Sequence, residues 1–343
     1  MKRSTALLAT AAACALPGTS LAQDQPSGGG PAGGPVSAPT SVTEPPVKPA
    51  QVTAGRMSLE IRGGQSTRRL HYAARGAEVV VEGRSAPFVP GQVAVLSIYG
   101  RGGLVAERRA EIRQTARGGR ASFRIKLDRR GLLSLVVRHA ATEAQGALQS
   151  RAARVKVIAP RAGQGARGTH VLLLQRGLAR LGFAVPVTGR YDPGTSRAVL
   201  AFRKTNGLGR TGYASWRVFS PVLRNRGAFR PRFPRAGRHL EFDWSRQLLA
   251  LVDGGRARHV YHASSGKAST PTVFGTFSFY RKEPGTNSLG MVQSNYFIGG
   301  YAIHGYASVP TYPASHGCIR VPIPNAHEID RRISLGQKIF VYR

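Results

Sequence analysis

Ala302-Ile303-His304-Gly305 and, fourteen positions beyond that histidine, Ser315-His316-Gly317-Cys318-Ile319-Arg320 are the two stretches from which the rest of the chain can be read. A cysteine attacks an acyl carbon only as its thiolate, so it needs a base or a positive field beside it. Histidine suits that role because its ordinary pKa lies near working pH. By residue type alone, His304 and His316 are both eligible. Gly317, directly before the thiol, lets the backbone turn tightly, so that adjacent N–H groups can point at a developing oxyanion. One such donor is typically worth ~2.7–4 kcal/mol of transition-state stabilisation.

The chain of 343 residues has two cysteines, Cys14 and Cys318. Cys14 lies in an N-terminal segment that reads as a secretory signal over 1–22: Lys2 and Arg3, an apolar stretch from Ala6 to Leu16, and the small-residue site Ser20-Leu21-Ala22. A lipoprotein signal at Cys14 would want a bulky residue three positions upstream, where Ala11 stands, so cleavage after Ala22 is the expectation. Its loss leaves Cys318 alone, an odd thiol for an exported protein. Inert burial and an intermolecular disulfide are the competing readings of that oddity. No later stretch approaches the ~20 apolar residues of a spanning helix.

Residues 23–55 are rich in Pro, Gly, Ser and Thr and read as a flexible tether. From 56 to 158 short alternating runs bounded by glycines, such as Phe123-Arg124-Ile125-Lys126-Leu127 and Val155-Lys156-Val157, predict a small antiparallel β-sandwich of immunoglobulin-like size. His71 and His139 stand singly there, as packing or surface residues. From 163 to 223 the pattern becomes helical, with Val171, Leu172, Leu174, Leu178 and Leu181 on one face and Asp192-Pro193 as a helix start. An aperiodic Arg/Pro/Gly linker over 224–238 leads to a mostly-β domain over 239–343. Its strand-like runs include Leu240-Glu241-Phe242, Leu248 to Val252 and Lys338 to Tyr342, with a short helix between Asn325 and Ile333. The fold class is therefore multidomain: β-sandwich, three-helix module and mostly-β domain.

Two parts of this layout resemble known families. Gly165-x-x-Gly168-x-x-Val171-x-x-Leu174-Gln175, Leu181-Gly182-Phe183, Val187 to Tyr191, Ala198-Val199-x-x-Phe202 and Trp216 are similar to the type 1 peptidoglycan-binding domain. It departs at Arg203, where that family often has glutamine. The two opening stretches, with Ser264-Ser265-Gly266-Lys267, Thr270-Pro271-Thr272 and Gly275-Thr276-Phe277, resemble the L,D-transpeptidase catalytic domain of the YkuD type. Here the stretch from His304 to Cys318 is shorter than in many members, and Val273-Phe274 replaces a pair that often contains proline.

The resemblance implies that Cys318 is the nucleophile, His304 the base and the Gly305 carbonyl its orienting partner. Backbone N–H groups around His316, Gly317 and Cys318 would form the oxyanion hole. Ser315, Tyr306, Arg320 and Lys267 would bind substrate, the last two by pairing with stem carboxylates. The implied reaction joins peptidoglycan stem peptides 3→3 through a cysteine thioester, with no cofactor. Hydrolysis of the thioester or exchange of a D-amino acid at the same site stays open.

The formal charge of +34 falls, with Lys2 and Arg3, to +32 after cleavage, and it is spread along the chain. That suits an extended polyanionic surrounding such as wall polymers; nucleic acid is disfavoured because no recognition motif accompanies the charge. A zinc site from His304, His316 and Cys318 lacks a fourth ligand at motif spacing, with His259 and His262 outside the motif. A Cys/His endopeptidase of the NlpC type needs its histidine well after the cysteine, and only His327 follows. A non-catalytic wall-binding protein shares the charge and tether, but has no reason to hold a lone thiol at Cys318 together with His304, each with its glycine.

Overall fold

The structure, a computed structural model, describes residues 52–66 and 70–343. The signal segment expected over 1–22, with Cys14, and most of the tether lie outside the described residues. Thr53, at the tether's end, already pairs with the sandwich by donating its N–H to the Ala144 carbonyl at 3.0 Å.

Eleven strands follow: β1 (Arg56–Arg62), β2 (Gln65–Ser66), β3 (His71–Ala74), β4 (Glu78–Ala86), β5 (Val93–Gly100), β6 (Gly103–Glu111), β7 (Arg113–Thr115), β8 (Gly118–Lys126), β9 (Gly131–His139), β10 (Leu148–Gln149) and β11 (Ala153–Ile158). They form two sheets, ordered β1-β4-β8-β7 and β2-β3-β11-β9-β5-β6, with β10 beside β9. Alternation places Ala121, Phe123 and Ile125 of β8 inward and its Arg120, Arg124 and Lys126 outward. Those inward residues share one core with Ala94, Leu96, Leu135 and Val155 of the other sheet. Each large apolar side chain so buried contributes about 1.5–3 kcal/mol.

One pair departs from the antiparallel expectation: β11 runs parallel to β3, with Val155 opposite His71. A parallel pair needs a long connection, and the intervening strands supply it, which no local alternation could signal. His71 and His139 are buried and face the carbonyls of Gly63 and Val93.

The described residues hold four helices, three of them in the module. α1 (Thr169–Arg180), α2 (Pro193–Thr205) and α3 (Trp216–Leu223) make up the helical module. Asp192 caps α2 by accepting the Thr195 N–H at 2.7 Å, with Pro193 opening the helix. The module does not hang free. Its core continues into Ala74 and Ile158 on one side and into Leu248, Ala250, Val252 and Val260 on the other.

The C-terminal part is built on a five-stranded sheet, β14-β13-β12-β20-β15. Its strands are β12 (His239–Asp243), β13 (Leu248–Asp253), β14 (Arg256–His262), β15 (Gly275–Ser278) and β20 (Lys338–Tyr342). A second sheet of β16 (Arg281–Thr286), β17 (Val292–Ile298), β18 (Tyr301–Tyr306) and β19 (Ile319–Pro322) leads into α4 (Ile323–Arg332). Residues 182–184 of the module line the outer edge of β14: Val260 N–H donates to Gly182 O at 2.7 Å and Ala184 N–H to Val260 O at 3.2 Å. An open strand edge is thereby covered.

The stretch 224–238 has no helix or strand, but it is pinned. Arg232 and Phe233 donate their N–H groups to the buried Glu241 carboxylate, each at 2.8 Å, and Phe233 stacks on Phe340 at 4.3 Å.

Candidate active site

β18 and β19 lie side by side and parallel, with Ile303 opposite Ile319 and His304 opposite Arg320. Ile303, Ile319 and Val321 point into the core beneath α4. The alternate residues therefore share the other face: Ala302, His304 and Tyr306 on one strand, Cys318 and Arg320 on its neighbour. Cys318 packs against the small cluster of Met291, Tyr296 and Ala302, which fixes it on that face. Ideal strand spacing puts the Cα atoms of His304 and Cys318 about 8 Å apart, a separation their side chains can close.

His304 is 2% exposed, and its Nδ1 lies 2.9 Å from the Gly305 carbonyl. A carbonyl only accepts, so Nδ1 carries the proton and Nε2 keeps its lone pair. Burial pulls the His304 pKa down, the Gly305 carbonyl opposes this, and the nearby Arg320 adds to the lowering. The ring meets Tyr306 edge-on at 5.7 Å, and the Arg320 guanidinium lies 4.0 Å over the Tyr306 ring.

Cys318 is half-buried, with Sγ 3.5 Å from the Gly300 carbonyl. Burial pushes the thiol up, against the pull of the Ala302 backbone and of Arg320. At rest the two groups are thus a thiol and a neutral imidazole.

The turn holding Cys318 is closely braced. Ser315 Oγ donates to the Cys318 carbonyl at 2.5 Å and accepts the Gly317 N–H at 3.1 Å. That bond takes Gly317 N–H out of the expected oxyanion donors. The N–H groups of His316 and Cys318 have no acceptor among the described residues and stay available. Gly317 itself has φ +120°, and a Cβ there would stand 2.6 Å from Tyr301 Cε1, so the turn requires glycine.

A second layer comes from residues 264–272. Ser265 O accepts the N–H groups of Ala314 and Ser315 at 2.8 and 2.9 Å, and Ser264 exchanges two backbone bonds with Arg320 at 2.9 and 2.8 Å. Thr272 Oγ1 donates to Gly317 O at 2.6 Å, and Thr270 Oγ1 to Ser315 O at 3.1 Å. Gln247 holds Ser265 in turn, accepting its N–H at 2.7 Å and donating to its Oγ at 2.9 Å. Sequence reasoning missed Gln247. It is a buried residue at φ +55° in the turn between β12 and β13, and neither property leaves a sequence signal.

Of the remaining expected residues, His316 is exposed. Lys267 is exposed too and joins the site through its backbone, its N–H donating to Ser315 O at 3.0 Å. Arg320 is half-buried, and its Nε has no partner among the described residues. No three His, Cys, Asp or Glu side chains among the described residues are grouped to hold a metal ion.

Residues 237–341 match the L,D-transpeptidase catalytic domain, and residues 167–218 match the peptidoglycan binding domain. The chain thus carries an L,D-transpeptidase catalytic domain over residues 237–341, with a peptidoglycan binding domain ahead of it over residues 167–218. It is 32% identical to the L,D-transpeptidase (residues 123–326) of Xylanimonas cellulosilytica DSM 15894, over 54% of this chain and 98% of that one, with a TM-score of 0.49. An L,D-transpeptidase from Stackebrandtia nassauensis matches at 19% identity, over 54% of this chain and 96% of that one, with a TM-score of 0.34. The C442S mutant of an Enterococcus faecium L,D-transpeptidase matches at 23% identity, over 31% of this chain and 50% of that one, with a TM-score of 0.28. No curated protein matches. The catalytic and peptidoglycan-binding domains together support a cell-wall transpeptidase. Among the described residues no helix is long and apolar enough to cross a membrane.

Proposed function

We propose that the protein is exported and forms 3→3 cross-links between peptidoglycan stem peptides through a thioester on Cys318. The observation that carries this is the parallel β18–β19 register, which sets a neutral histidine with a free Nε2 on the same face as the thiol. As Sγ attacks the carbonyl of the third residue of a donor tetrapeptide, His304 Nε2 takes the thiol proton. The oxyanion is met by the N–H groups of Cys318 and His316. The imidazolium then protonates the departing amine, the C–N bond breaks, and D-alanine leaves the thioester behind. The side-chain amine of a second stem attacks that thioester, His304 removes its proton, and the sulfur departs and recovers a proton. Tyr306 and Arg320 form the wall beside the acyl group, and Lys267 lies at the rim to meet a stem carboxylate. The spread of positive charge favours residence among anionic wall polymers.

The test is incubation with a disaccharide-tetrapeptide and mass spectrometry of the products. Wild type yields a dimer with loss of D-alanine, and Cys318→Ala yields none. Turnover that survives the substitution refutes the assignment of the nucleophile. A product lacking only D-alanine, with no dimer, shows a carboxypeptidase instead.

A further inference from the structure

Lys204 is 4% exposed, stands on α2 of the peptidoglycan-binding module, and crosses into the catalytic domain. Its Nζ reaches the Gln247 carbonyl at 3.0 Å, the Ala263 carbonyl at 3.3 Å and His262 Nδ1 at 2.7 Å. His262 Nε2 lies 2.9 Å from the Val309 carbonyl and so carries the ring proton, which makes Nδ1 an acceptor. Three acceptors thus surround the Lys204 Nζ. Burial, with Arg210 adding to it, pulls this lysine down to about 6, while the three acceptors favour its protonated form.

Both branches from Lys204 lead to the nucleophile. Along one, Gln247 grips Ser265 with its side-chain amide, Ser265 O takes the N–H groups of Ala314 and Ser315, and Ser315 braces Gly317 and Cys318. Along the other, His262 holds Val309 at the start of the loop that ends at Cys318. Arg210 of the same module binds that loop at the Thr311 carbonyl and also reaches the Ser245 carbonyl at 2.9 Å. A lysine serving only to fasten two domains has no need to end on the residue whose side chain supports the catalytic turn.

We propose that Lys204 is a positioning residue for Cys318, through which the peptidoglycan-binding module sets the geometry of the nucleophile turn. This rests on the transpeptidase reading for its kinetic arm alone. The test compares the full chain with Lys204→Met, which keeps the length and loses the donors. With soluble disaccharide-tetrapeptide, kcat falls about tenfold or more, since small displacements at a reacting centre cost large factors, and KM stays within about twofold. Amide exchange quickens across residues 309–318 and is unchanged in β12 and β20.

A double-mutant cycle with Gln247→Leu separates routes. Losses in kcat that fail to multiply show the two residues acting in series; independent losses overturn the Gln247 route. Lys204→Met with a lower melting temperature, but with wild-type kcat and wild-type exchange across 309–318, reduces the lysine to a domain staple and overturns the proposal. Should that variant lack a cooperative melt, Lys204→Gln, which retains two donors, carries the same comparison with smaller effects. If the wild type itself does not turn over the tetrapeptide, the transpeptidase reading fails, and exchange across 309–318 alone decides the positioning role.

Discussion

Replacing Gly317 by alanine tests the bracing of the nucleophile at its tightest point. The residue has φ +120°, and an added Cβ would lie 2.6 Å from Tyr301 Cε1 and 3.1 Å from Cδ1. Holding alanine in that conformation costs on the order of 1–3 kcal/mol, and displacing the Tyr301 ring adds about 1–3 kcal/mol. Gly290→Ala supplies the reference. It too has a positive φ, +71°, but its Cβ would be 3.7 Å from the nearest atom, Tyr306 Cε2. It should carry the conformational cost without the collision. Urea unfolding of both variants therefore separates the two contributions, with Gly317→Ala the less stable by about 1–3 kcal/mol. The same displacement moves the thiol against His304, and a shift near 1 Å is worth about 100-fold in rate. Tetrapeptide cross-linking followed by mass spectrometry reads that loss. A Gly317→Ala protein no less stable than Gly290→Ala and cross-linking within twofold of wild type would refute the claim that the turn requires glycine.

The pH dependence follows from the burial of the pair. His304 is lowered from 6.5, so it stays a competent base below that pH, and the acid limb of kcat/KM should fall below 6.5. Cys318 is raised from 9.0, so alkylation by iodoacetamide in the free enzyme should reach half its plateau above pH 9; a midpoint near 6 would mean a preformed thiolate–imidazolium pair instead. At the module boundary, Gly182 has φ +86° and its Cβ would meet the Ala257 carbonyl at 2.3 Å. Gly182→Ala should lower unfolding stability by about 2–4 kcal/mol and raise amide exchange along β14, whereas unchanged exchange there would show that the edge pairing is dispensable.

The strands that bury both faces or alternate cleanly, such as β8, β12 and β13, were legible because hydrophobic pattern and burial coincide in them. β16 was not. Its residues Arg281 to Thr286 expose most of their side chains and include a proline, and pairing with β17 makes it a strand. The stretch 224–238 is anchored on Glu241, and that anchoring depends on a buried carboxylate that no window of sequence reveals.

For the site, residue types alone gave a thiol, two eligible histidines and a turn-forming glycine, and the choice of His304 over His316 rested on resemblance. In the fold the two differ in surroundings: His304 is buried and tautomer-locked, while His316 is exposed.

The sequence by itself determined the chemistry on offer, since the nature of a nucleophile and the conformational freedom of Gly317 are properties of single residues. Only the tertiary structure decided how that chemistry is held. Register between two parallel strands sets which side chains share a face, and Gln247 and Lys204 act through bonds to residues far away in sequence. A chain of such bonds depends on close approach between separate elements, and close approach exists only once the cores beneath them have packed.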